Sequence, residues 1–481
     1  MSTITIAWIA LPFFVGFSIY LLPKLDRYLA LVVAVASVAF GLQQVLNPIS
    51  ETFALLDNFG VTLIIDSLSG YLILTNALVT LAVILYCWGT GKSAFFYTPA
   101  IILHGSVNAV FICADFISLY VALEVIGIAA FLLIAYPRTD RSIWVALRYL
   151  FVSNTAMLFY LIGAVLVYQT HHSFAFSGLQ GAPTEAVALI FLGLLTKGGI
   201  FISGLWLPLT HSESETPVSA MLSGAVVNTG VFPLVRCALM VEDIGPMLQI
   251  FSIATAFLGV VYAIFERDTK RMLAASTISQ LGFVLVAPAA VGMYALAHGL
   301  AKATLFLIAG NLPSRNFKQL QQNPIALPMW IGMAIASLSI SGLPLLAGFG
   351  AKVSTIDLLG SWQKTAMKIA AVGTAIVFAK LIFLPIARPS EPSEPRKRKF
   401  GFWAAICLLL VSLVAASGLS LPGYTTANLI KSLATIAQGW LIYGFVFKRF
   451  ALKLPRMPEQ LEHLIGTMSL TLTLLFWMVL A

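Results

Sequence analysis

The sequence predicts an all-α, polytopic membrane protein with about 14 to 16 transmembrane helices, and three observations lead to this fold class. Hydrophobic residues make up 59% of the 481 residues and charged residues only 10%, whereas a soluble domain carries roughly 25% charged residues. Apolar runs long enough to cross a bilayer recur along the whole chain. Basic residues are concentrated in alternate loops between these runs, which is the positive-inside pattern.

About sixteen apolar runs are candidate membrane spans, since about 20 apolar residues cover the hydrocarbon core. The first run has no basic segment before it and no small-residue cleavage site, so we expect a retained helix rather than a signal peptide. In chain order the runs cover residues 4–22, 28–46, 68–88, 97–113, 116–136, 144–168, 186–207, 218–240, 246–265, 274–290, 293–311, 328–358, 366–387, 401–418, 425–447 and 462–480.

The loops between the spans indicate the orientation of the chain. Loops after even-numbered spans, such as residues 47–66 and 169–185, contain almost no basic residues, and the exception is the twelfth loop with Lys364 and Lys368. The N-terminus is therefore expected outside, and the net charge of +9 is assigned to inward-facing loops rather than to nucleic-acid binding. The basic residues after odd-numbered spans are Lys24, Arg27, Lys92, Arg138, Arg141, Arg267, Lys270, Arg271, Arg315, Lys318, Arg388, Arg396, Lys397, Arg398, Lys399, Lys448, Arg449 and Lys453.

Two of the spans are interrupted by glycine and proline near their middle. Span seven contains Lys197 in LLTKGGIFISGLWLP, and span twelve contains Pro344 and Lys352 in SGLPLLAGFGAK. Helix breaks at membrane depth are tolerated where the freed backbone lies against protein or a water-filled cavity. The breaks therefore predict the positions of two functional sites.

The broken spans lie in two sets of five spans, spans 4–8 and 9–13. An odd number of spans inverts a repeated unit in the membrane, so we predict two inverted five-helix repeats, each with a broken helix. The chain then divides into N-terminal transmembrane helices (1–95), a first half (96–241), a second half (242–388), and a basic loop with C-terminal helices (389–481). These last helices are expected at the periphery, because a segment rich in proline and charge precedes them.

Charged residues inside the spans are candidate site residues, because a charge at the bilayer centre costs roughly 2.5 to 3.5 kcal/mol. Lys197 lies near the middle of span seven and Glu124 near the middle of span five, where a carboxylate close to the lysine would tune its proton affinity. His298 and Lys302 share one face of span eleven, and Lys352 follows the second break. The alternatives are a structural ion pair for Glu124, a simple hydrogen bond for His298 and an interfacial position for Lys352.

Lys380 in span thirteen either belongs to the site or extends its ammonium to the membrane interface. The cysteines are far apart and form no C-x-x-C pair, so we expect neither disulfides nor an iron-sulfur cluster. The sequence accordingly predicts no cofactor, no metal site and no catalytic chemistry of the chain's own. The four cysteines are Cys87, Cys113, Cys237 and Cys407.

The segments TKGGIF (196–201), WLP (206–208) and PVSAMLSG (217–224), with His211 between them, resemble the signature of the antiporter-like membrane subunits. This family includes the proton-pumping subunits of respiratory complex I and the large subunits of Mrp-type multisubunit sodium/proton antiporters. The resemblance implies that Lys197 is the lysine of a broken seventh helix on an ion path.

The same resemblance implies roles for further residues. Glu124 matches the fifth-helix glutamate that pairs with the lysine. The pattern H-x-x-x-K-x-x-L-F, which starts at His298, is similar to the eleventh-helix motif in which the histidine and Lys302 relay protons. Lys352 matches the lysine or glutamate at the exit half of the path, and His211 matches a loop histidine, whereas Lys380 matches no family motif.

The stretch DTKRMLAASTISQLG (268–282) resembles another motif of the family, and its Lys270 and Arg271 are expected to anchor the chain at the interface. Glu213 and Glu215 form an acidic loop on the basic side, which is a candidate entrance for cations.

Asn228 is the position where this chain departs from the family, whose members usually carry a lysine or histidine in the eighth helix. An asparagine orders water but takes up no proton. The sequence therefore leaves open whether the ion paths through the first and second halves, the two half-channels, are connected. Ordered water at Asn228 is the expected connection.

Three functions are compatible with these features. The first is the ion-translocating subunit of an Mrp-like monovalent cation (sodium)/proton antiporter. The second is a non-redox, proton-pumping membrane subunit of a complex I-type NAD(P)H or ferredoxin:quinone oxidoreductase, and the third is an energy-coupling subunit for uptake of inorganic carbon or another solute. All three imply other membrane subunits, lipid, protons and monovalent cations as partners, in a bacterial-type cell membrane or an equivalent energy-transducing membrane.

Overall fold

The computed structural model describes residues 2–56, 60–241, 244–387, 400–448, 452 and 454–480, and helices dominate these ranges. All of the predicted spans coincide with helices, which confirms the all-α polytopic membrane fold. The α-helices are α1 (Ser2–Leu21), α2 (Asp26–Leu46), α3 (Ser67–Cys87), α4 (Ala94–Val110), α5 (Phe116–Ile134), α6 (Asp140–His171), α7 (Thr184–Lys197), α8 (Leu207–Glu213), α9 (Thr216–Met221), α10 (Asn228–Met240), α11 (Ile244–Phe265), α12 (Thr269–Leu285), α13 (Val291–Ala309), α14 (Phe317–Gln322), α15 (Leu327–Ser341), α16 (Ala347–Asp357), α17 (Ser361–Ile382), α18 (Phe400–Ser417), α19 (Thr426–Ile442) and α20 (Leu461–Leu480).

Within the described ranges, twelve helical segments are long and apolar enough to cross a membrane. Three shorter apolar helices, Thr5–Leu21, Ala94–Val110 and Leu327–Ser341, add to them. Helix α12 belongs to neither group, and yet all 17 of its residues are buried. Its polar side chains are therefore surrounded by protein rather than lipid.

An antiparallel β-hairpin follows α2 and differs from the prediction, which places its residues in an outer loop. Strand β1 (Glu51–Leu56) pairs with β2 (Gly60–Ile65), with Glu51 opposite Ile65 and Leu56 opposite Gly60. The hairpin lies against the start of α5, where the backbone N–H of Ala114 donates to the carbonyl of Thr62 at 2.8 Å.

Both predicted helix breaks are present. Helix α7 ends at Lys197, and the chain turns through Gly199 at a φ of +69°, a conformation that favours glycine. Helix α15 ends at Ser341 and α16 starts at Ala347, with Gly342 at a φ of +94° between them. The breaks leave the last carbonyls of α7 and α15 without helical partners inside the bundle.

The C-terminal helices lie at the periphery, as expected, since most of their residues are exposed or only partly buried. Helix α18 contacts α3 and α13, and α19 contacts α17. The chain then crosses to the first half, where α20 contacts α7. The broken helix that carries Lys197 is therefore covered by the last helix of the chain.

Glu459, in the turn before α20, connects the two halves at the inner face. Its carboxylate accepts a hydrogen bond from Arg271 at 2.6 Å, with each side chain 7% exposed. Its backbone carbonyl accepts another from Arg148 of α6 at 2.5 Å. Glu266 pairs with Arg271 and with Arg456, both at 3.1 Å. Arg271 is therefore part of a buried network, which corrects its prediction as an interfacial anchor.

Glu266 lies between α11 and α12, outside the membrane-spanning segments. Burial alone would raise the pKa of this carboxyl, but the N–H of Arg267 and the charges of Arg271 and Arg456 hold the pKa below its ordinary value of 4.5. A lowered folded-state pKa gives stability that is fully present above pH 4.5 and is lost as the pH falls through the folded-state pKa. The network is therefore intact at neutral pH.

We expect Glu459→Gln to lower the free energy of unfolding by about 2 kcal/mol, because it removes the charged hydrogen-bond acceptor at 2.6 Å from the buried guanidinium of Arg271 and leaves Glu266 as its remaining carboxylate partner. Thermal or denaturant unfolding of the full chain in nanodiscs measures this loss. Glu462→Gln, three residues further at an exposed position, is the matched control and should unfold like the wild type. Equal stability of the two variants would contradict a structural role for the network.

Candidate functional site

Lys197 is the last residue of α7 and is buried, with only 4% exposed. Its ammonium donates hydrogen bonds to the carbonyl of Leu123 at 3.1 Å and to the hydroxyl of Ser153 at 2.6 Å. The carbonyl end of α7 adds partial negative charge at this point. Among the described residues no carboxylate forms an ion pair with Lys197 within 4.0 Å. Neutral oxygen atoms therefore solvate the lysine.

Glu124 lies on α5, next to Leu123, and is half-buried. Its charge and that of Lys197 interact electrostatically. Gly127, three residues further along α5, lies directly beside the lysine, since a Cβ at this glycine would be 3.6 Å from Nζ. The structure thus places Glu124 near Lys197 without a direct ion pair.

Asn228 starts α10, which crosses the break after Lys197. The backbones touch there, since a Cβ on Gly230 would lie 2.2 Å from the nitrogen of Gly198. Asn228 is 1% exposed, and neither its side-chain oxygen nor its nitrogen has a hydrogen-bond partner in the described protein. An unpaired buried amide costs about 1 to 3 kcal/mol, so bound water is the expected partner.

His211 lies on α8 and is fully buried, which corrects its prediction as a loop residue. Both ring nitrogens lack a hydrogen-bond partner in the described protein. The ring lies between Trp206 and Phe306, with centroid distances of 6.0 and 6.2 Å. Phe306 belongs to α13, and the charge of Lys302 on the same helix acts on the histidine. His211 therefore lies where the two halves meet.

Lys302 is fully buried in the middle of α13. Its ammonium donates to the carbonyl of Leu273 at 2.8 Å and to the hydroxyl of Ser276. The ring of Phe378 lies 5.4 Å from the ammonium. Lys302 is thus solvated by one carbonyl and one serine hydroxyl. Lys197 in the first half has the same kinds of partner.

His298 lies one turn before Lys302 on α13, and neither of its ring nitrogens has a hydrogen-bond partner in the described protein. A cavity of about 10 Å³ lies beside the ring, lined also by Gln280, Ser339 and Ala351. This volume holds about one water molecule. Because Ala351 precedes Lys352, the cavity lies between the histidine and the helix that carries the next lysine.

Lys352 on α16 is buried, with 7% exposed, and donates to the carbonyl of Ser341 at 3.3 Å. It lines a second cavity, of 440 Å³, which lies between α16, α17 and α19. This cavity extends to exposed residues at the start of α17, the side that the loop charges predict to be outside. Lys352 therefore has a path to the surface.

Lys380 is a helix cap and not part of this row of lysines. Its ammonium donates to the carbonyls of Ala263 at 3.2 Å, Ile264 at 3.1 Å and Glu266 at 2.5 Å. The first two are carbonyls of the last turn of α11, and the third belongs to the residue that follows this helix. A structural role therefore accounts for this lysine.

The acidic loop and Lys270 also take structural positions. Lys270 is buried and donates to a carbonyl at 2.8 Å and to a hydroxyl at 3.2 Å between α8 and α9, which corrects its prediction as an interfacial anchor. Glu213 pairs with Arg141 at 3.4 Å, and Glu215 pairs with Lys92 at 2.6 Å. Basic loops therefore bind the carboxylates of the candidate cation entrance.

Hydroxyl groups are the site residues that the sequence does not single out. Ser153 and Ser276 bind the two lysines, and Ser223 forms a hydrogen bond of 2.7 Å with Thr277 between the two halves. Serine and threonine are common in membrane helices, so no signal in the sequence separates Ser153 and Ser276 from the others. Within the described ranges no three His, Cys, Asp or Glu side chains come together in a way that could hold a metal ion.

A second buried polar cluster surrounds His104 on α4. Its Nε2 lies 2.9 Å from the hydroxyl of Ser37, and its Nδ1 lies 3.2 Å from the hydroxyl of Thr80. Asn108 and Asn76 are hydrogen-bonded to each other at 2.8 Å in the same cluster. Because these groups bind one another, the cluster joins α2, α3 and α4 and needs no ligand.

A bundle of membrane helices with two broken helices and a row of buried basic side chains is the architecture of a secondary-transporter type of membrane protein. More specifically, the chain belongs to the family described as NADH:quinone oxidoreductase/Mrp antiporter, TM, which matches residues 113–378.

Relatives of the chain occur in more than one kind of complex. It is 29% identical over 430 residues to NADH-quinone oxidoreductase subunit N of Desulforudis audaxviator, with 79% of this chain and 85% of the relative covered. It is 24% identical over 416 residues to a Na⁺/H⁺ antiporter subunit of Alkalihalophilus pseudofirmus, with 78% and 84% covered. Its fold matches a chain of the membrane-bound sulfane sulfur reductase, an archaeal respiratory membrane complex, with a TM-score of 0.78, 18% identity, and 92% and 99% of the two chains covered.

Proposed function

We propose that this chain is the ion-translocating membrane subunit of a multisubunit, Mrp-like sodium/proton antiporter. The observation that carries the proposal is the row of three buried lysines, Lys197, Lys302 and Lys352, whose ammonium groups donate only to neutral oxygen atoms of the described chain. A buried lysine with neutral partners can release its proton without leaving an unpaired carboxylate behind. Such groups suit the uptake and release of protons.

The second half offers a route for protons to the outer surface. A proton on Lys302 has His298 one turn away on the same helix face. The ring then borders the 10 Å³ cavity, whose lining includes the residue before Lys352. From Lys352 the 440 Å³ cavity continues to the surface. The steps as far as Lys352 are transfers between neighbouring groups or through about one water molecule, and the last step runs through the larger cavity.

The two halves are joined through groups that bind water rather than by a lysine or histidine in the eighth helix. Asn228 lies behind the break next to Lys197, and the Ser223–Thr277 hydrogen bond connects the preceding turn to α12. His211 lies at the same boundary and is titratable. We infer that protons pass from the first half to the second through His211 and through water held by Asn228.

The protein acts with other membrane subunits in an energy-transducing membrane. Its relatives are subunits of complexes, named as an oxidoreductase and as an antiporter. This chain supplies the path for ions, and any redox chemistry of the assembly takes place in other subunits.

The runner-up function is the proton-pumping membrane subunit of a complex I-type oxidoreductase. The 29% identity with subunit N of an NADH-quinone oxidoreductase favours it. The two functions differ in what drives the protons, since the antiporter exchanges them for sodium and the oxidoreductase pumps them during electron transfer.

Inside-out vesicles that carry the intact complex separate these functions. For the antiporter, we expect addition of sodium to an imposed pH gradient to release protons from the vesicles, with no need for an electron donor. Proton uptake that requires NADH or reduced ferredoxin together with quinone, and does not respond to sodium, would overturn the antiporter in favour of the runner-up.

Asn228 provides a test of the connection between the halves. Asn228→Leu removes both the donor and the acceptor of the amide, so we expect proton flux to fall at least tenfold in fully assembled protein. Asn228→Lys should retain flux, because the resemblance places a titratable group there. Wild-type flux in the leucine variant would show that protons do not pass this point, and Asn323→Leu, after the end of α14, controls for the loss of an amide elsewhere.

A further inference from the structure

A cluster of lysines lies at the outer end of the second half, where outer loops otherwise contain almost no basic residues. Lys364 and Lys368 are one turn apart on α17, and Lys431 lies on α19. Together with Lys352 they line the 440 Å³ cavity. Asp357 is the carboxylate among its lining residues. The cavity therefore carries an excess of positive charge.

Asp357 compensates these charges only in part, since one carboxylate accompanies four lysines in the lining of the cavity. No described carboxylate forms an ion pair within 4.0 Å with Lys364, Lys368 or Lys431. Lys364 lies in the first turn of α17 and Asn428 in the first turn of α19, so the positive ends of both helix dipoles lie beside the same cavity. An anion in the cavity would offset this repulsion.

The rest of the wall contains polar side chains on α19 and an apolar part that extends to the lipid-facing surface. Phe349, Ile356, Ile369 and Val372 are in this wall, and Ile369 is 57% exposed. Trp362, in the first turn of α17, is 56% exposed, as expected for an aromatic side chain at the membrane–water interface. A basic rim at the interface above an apolar wall matches the headgroup and acyl chain of a phospholipid.

We propose that this cavity binds an anionic phospholipid of the outer leaflet, with its phosphate among Lys364, Lys368 and Lys431 and an acyl chain along Ile369. A free phosphate ion would satisfy the lysines as well, but it would leave the apolar wall uncovered. The lipid is favoured because the wall is continuous with the membrane-facing surface.

Bound lipid would also act on transport, and this part of the inference rests on the proposed function. The phosphate would place negative charge at the surface opening that leads to Lys352. Negative charge there raises the local concentration of protons and other cations. The lipid would thus supply the charge that the chain itself lacks at this opening.

The test is lipid retention by the intact protein in nanodiscs that contain phosphatidylglycerol or only phosphatidylcholine. Native mass spectrometry after detergent release counts the retained phospholipids. We expect the wild type to retain phosphatidylglycerol in preference to phosphatidylcholine. Lys364→Gln combined with Lys368→Gln should weaken retention about thirtyfold, because each basic residue at an anionic surface is worth about fivefold in binding.

The matched control is Lys24→Gln combined with Lys318→Gln, which removes two exposed lysines far from the cavity in sequence. This variant should retain phosphatidylglycerol like the wild type. Because both double variants change only exposed or half-exposed side chains, both are expected to fold, and their unfolding temperatures verify this. Lys431→Glu offers an independent variant on another helix and, because it also changes the charge by two, should weaken retention to a similar extent.

Three outcomes would overturn the proposal. One is equal retention by the cavity variant and the control. A second is displacement of the lipid by millimolar inorganic phosphate, which would identify a free oxyanion as the occupant. A third is cross-linking of a Lys431→Cys variant to another protein of the native complex, which would identify a protein partner. If lipid is retained as expected but sodium drives no proton exchange, the lipid site stands and the antiporter function fails.

Discussion

Replacement of Lys197 by alanine is expected to reduce proton exchange to less than about 1% of the wild-type rate, because a group that accepts and returns a proton typically contributes at least 100-fold. The structure shows why no neighbour can take its place. Its hydrogen-bond partners are the carbonyl of Leu123 and the hydroxyl of Ser153, neither of which titrates in the physiological range. Glu124 interacts with it only through space.

The alanine variant should still assemble. The substitution removes a buried charge together with its desolvation cost, and Ser153 retains the option of bonding to the helix backbone. Proton flux in reconstituted vesicles, normalised to the amount of assembled complex, is the measurement. Lys318→Ala, at an exposed position on the inner side, is the control for loss of a lysine. Normal exchange in the Lys197 variant would exclude this lysine from the path.

Replacement of Lys302 by methionine is expected to stop transport with a similarly large effect. Lys302 is fully buried at the centre of the second half and lies on the same helix as the unpaired His298. Methionine preserves most of the side-chain volume, so the packing of α13 against α12 should change little. The variant leaves Lys197 intact, but protons that leave the first half would find no lysine at the centre of the second half to accept them.

Lys270 offers an unusually close control for this experiment. It is also buried, also lies within the bundle, and also donates to one carbonyl and one hydroxyl. Its ammonium is not a step of the proposed route, although it bonds to Ser219 next to His211 and its charge acts on that histidine. Lys270→Met should therefore destabilise the protein as much as Lys302→Met while the assembled fraction still transports. If both variants lose transport equally per assembled complex, the loss reflects packing and not proton transfer.

Much of the candidate site can be predicted because charge in an apolar span is costly and hence conspicuous. This cost identifies Lys197, His298, Lys302 and Lys352. The glycines near Lys197 and Lys352 indicate the two helix breaks. Their roles in transport stay predictions until they are tested. Lys380 shows the limit of this reasoning. It is also a charged residue in an apolar span, but it caps a helix.

Other features have no distinct signal in the sequence. The hydroxyls of Ser153 and Ser276 are indistinguishable by pattern from many other serines. The polar residues around His211 favour a loop in the sequence, although they belong to short helices folded back into the bundle. The position of α20 against α7 depends on the contacts of Glu459 with Arg148 and Arg271, which are far away in the sequence. The hydrophobic periodicity of a helix carries no information about such contacts.

The complete burial of α12 has a consequence for biogenesis. Nascent helices enter the bilayer according to their hydrophobicity, and this helix starts with Lys270 and Arg271 and carries Ser276 and Gln280 in its interior. We therefore expect the translocon to retain α12 only as a hairpin with α11, against which it packs along its length. The polar centre of the protein would then be sealed from lipid during synthesis, before the chain that follows α12 has left the ribosome.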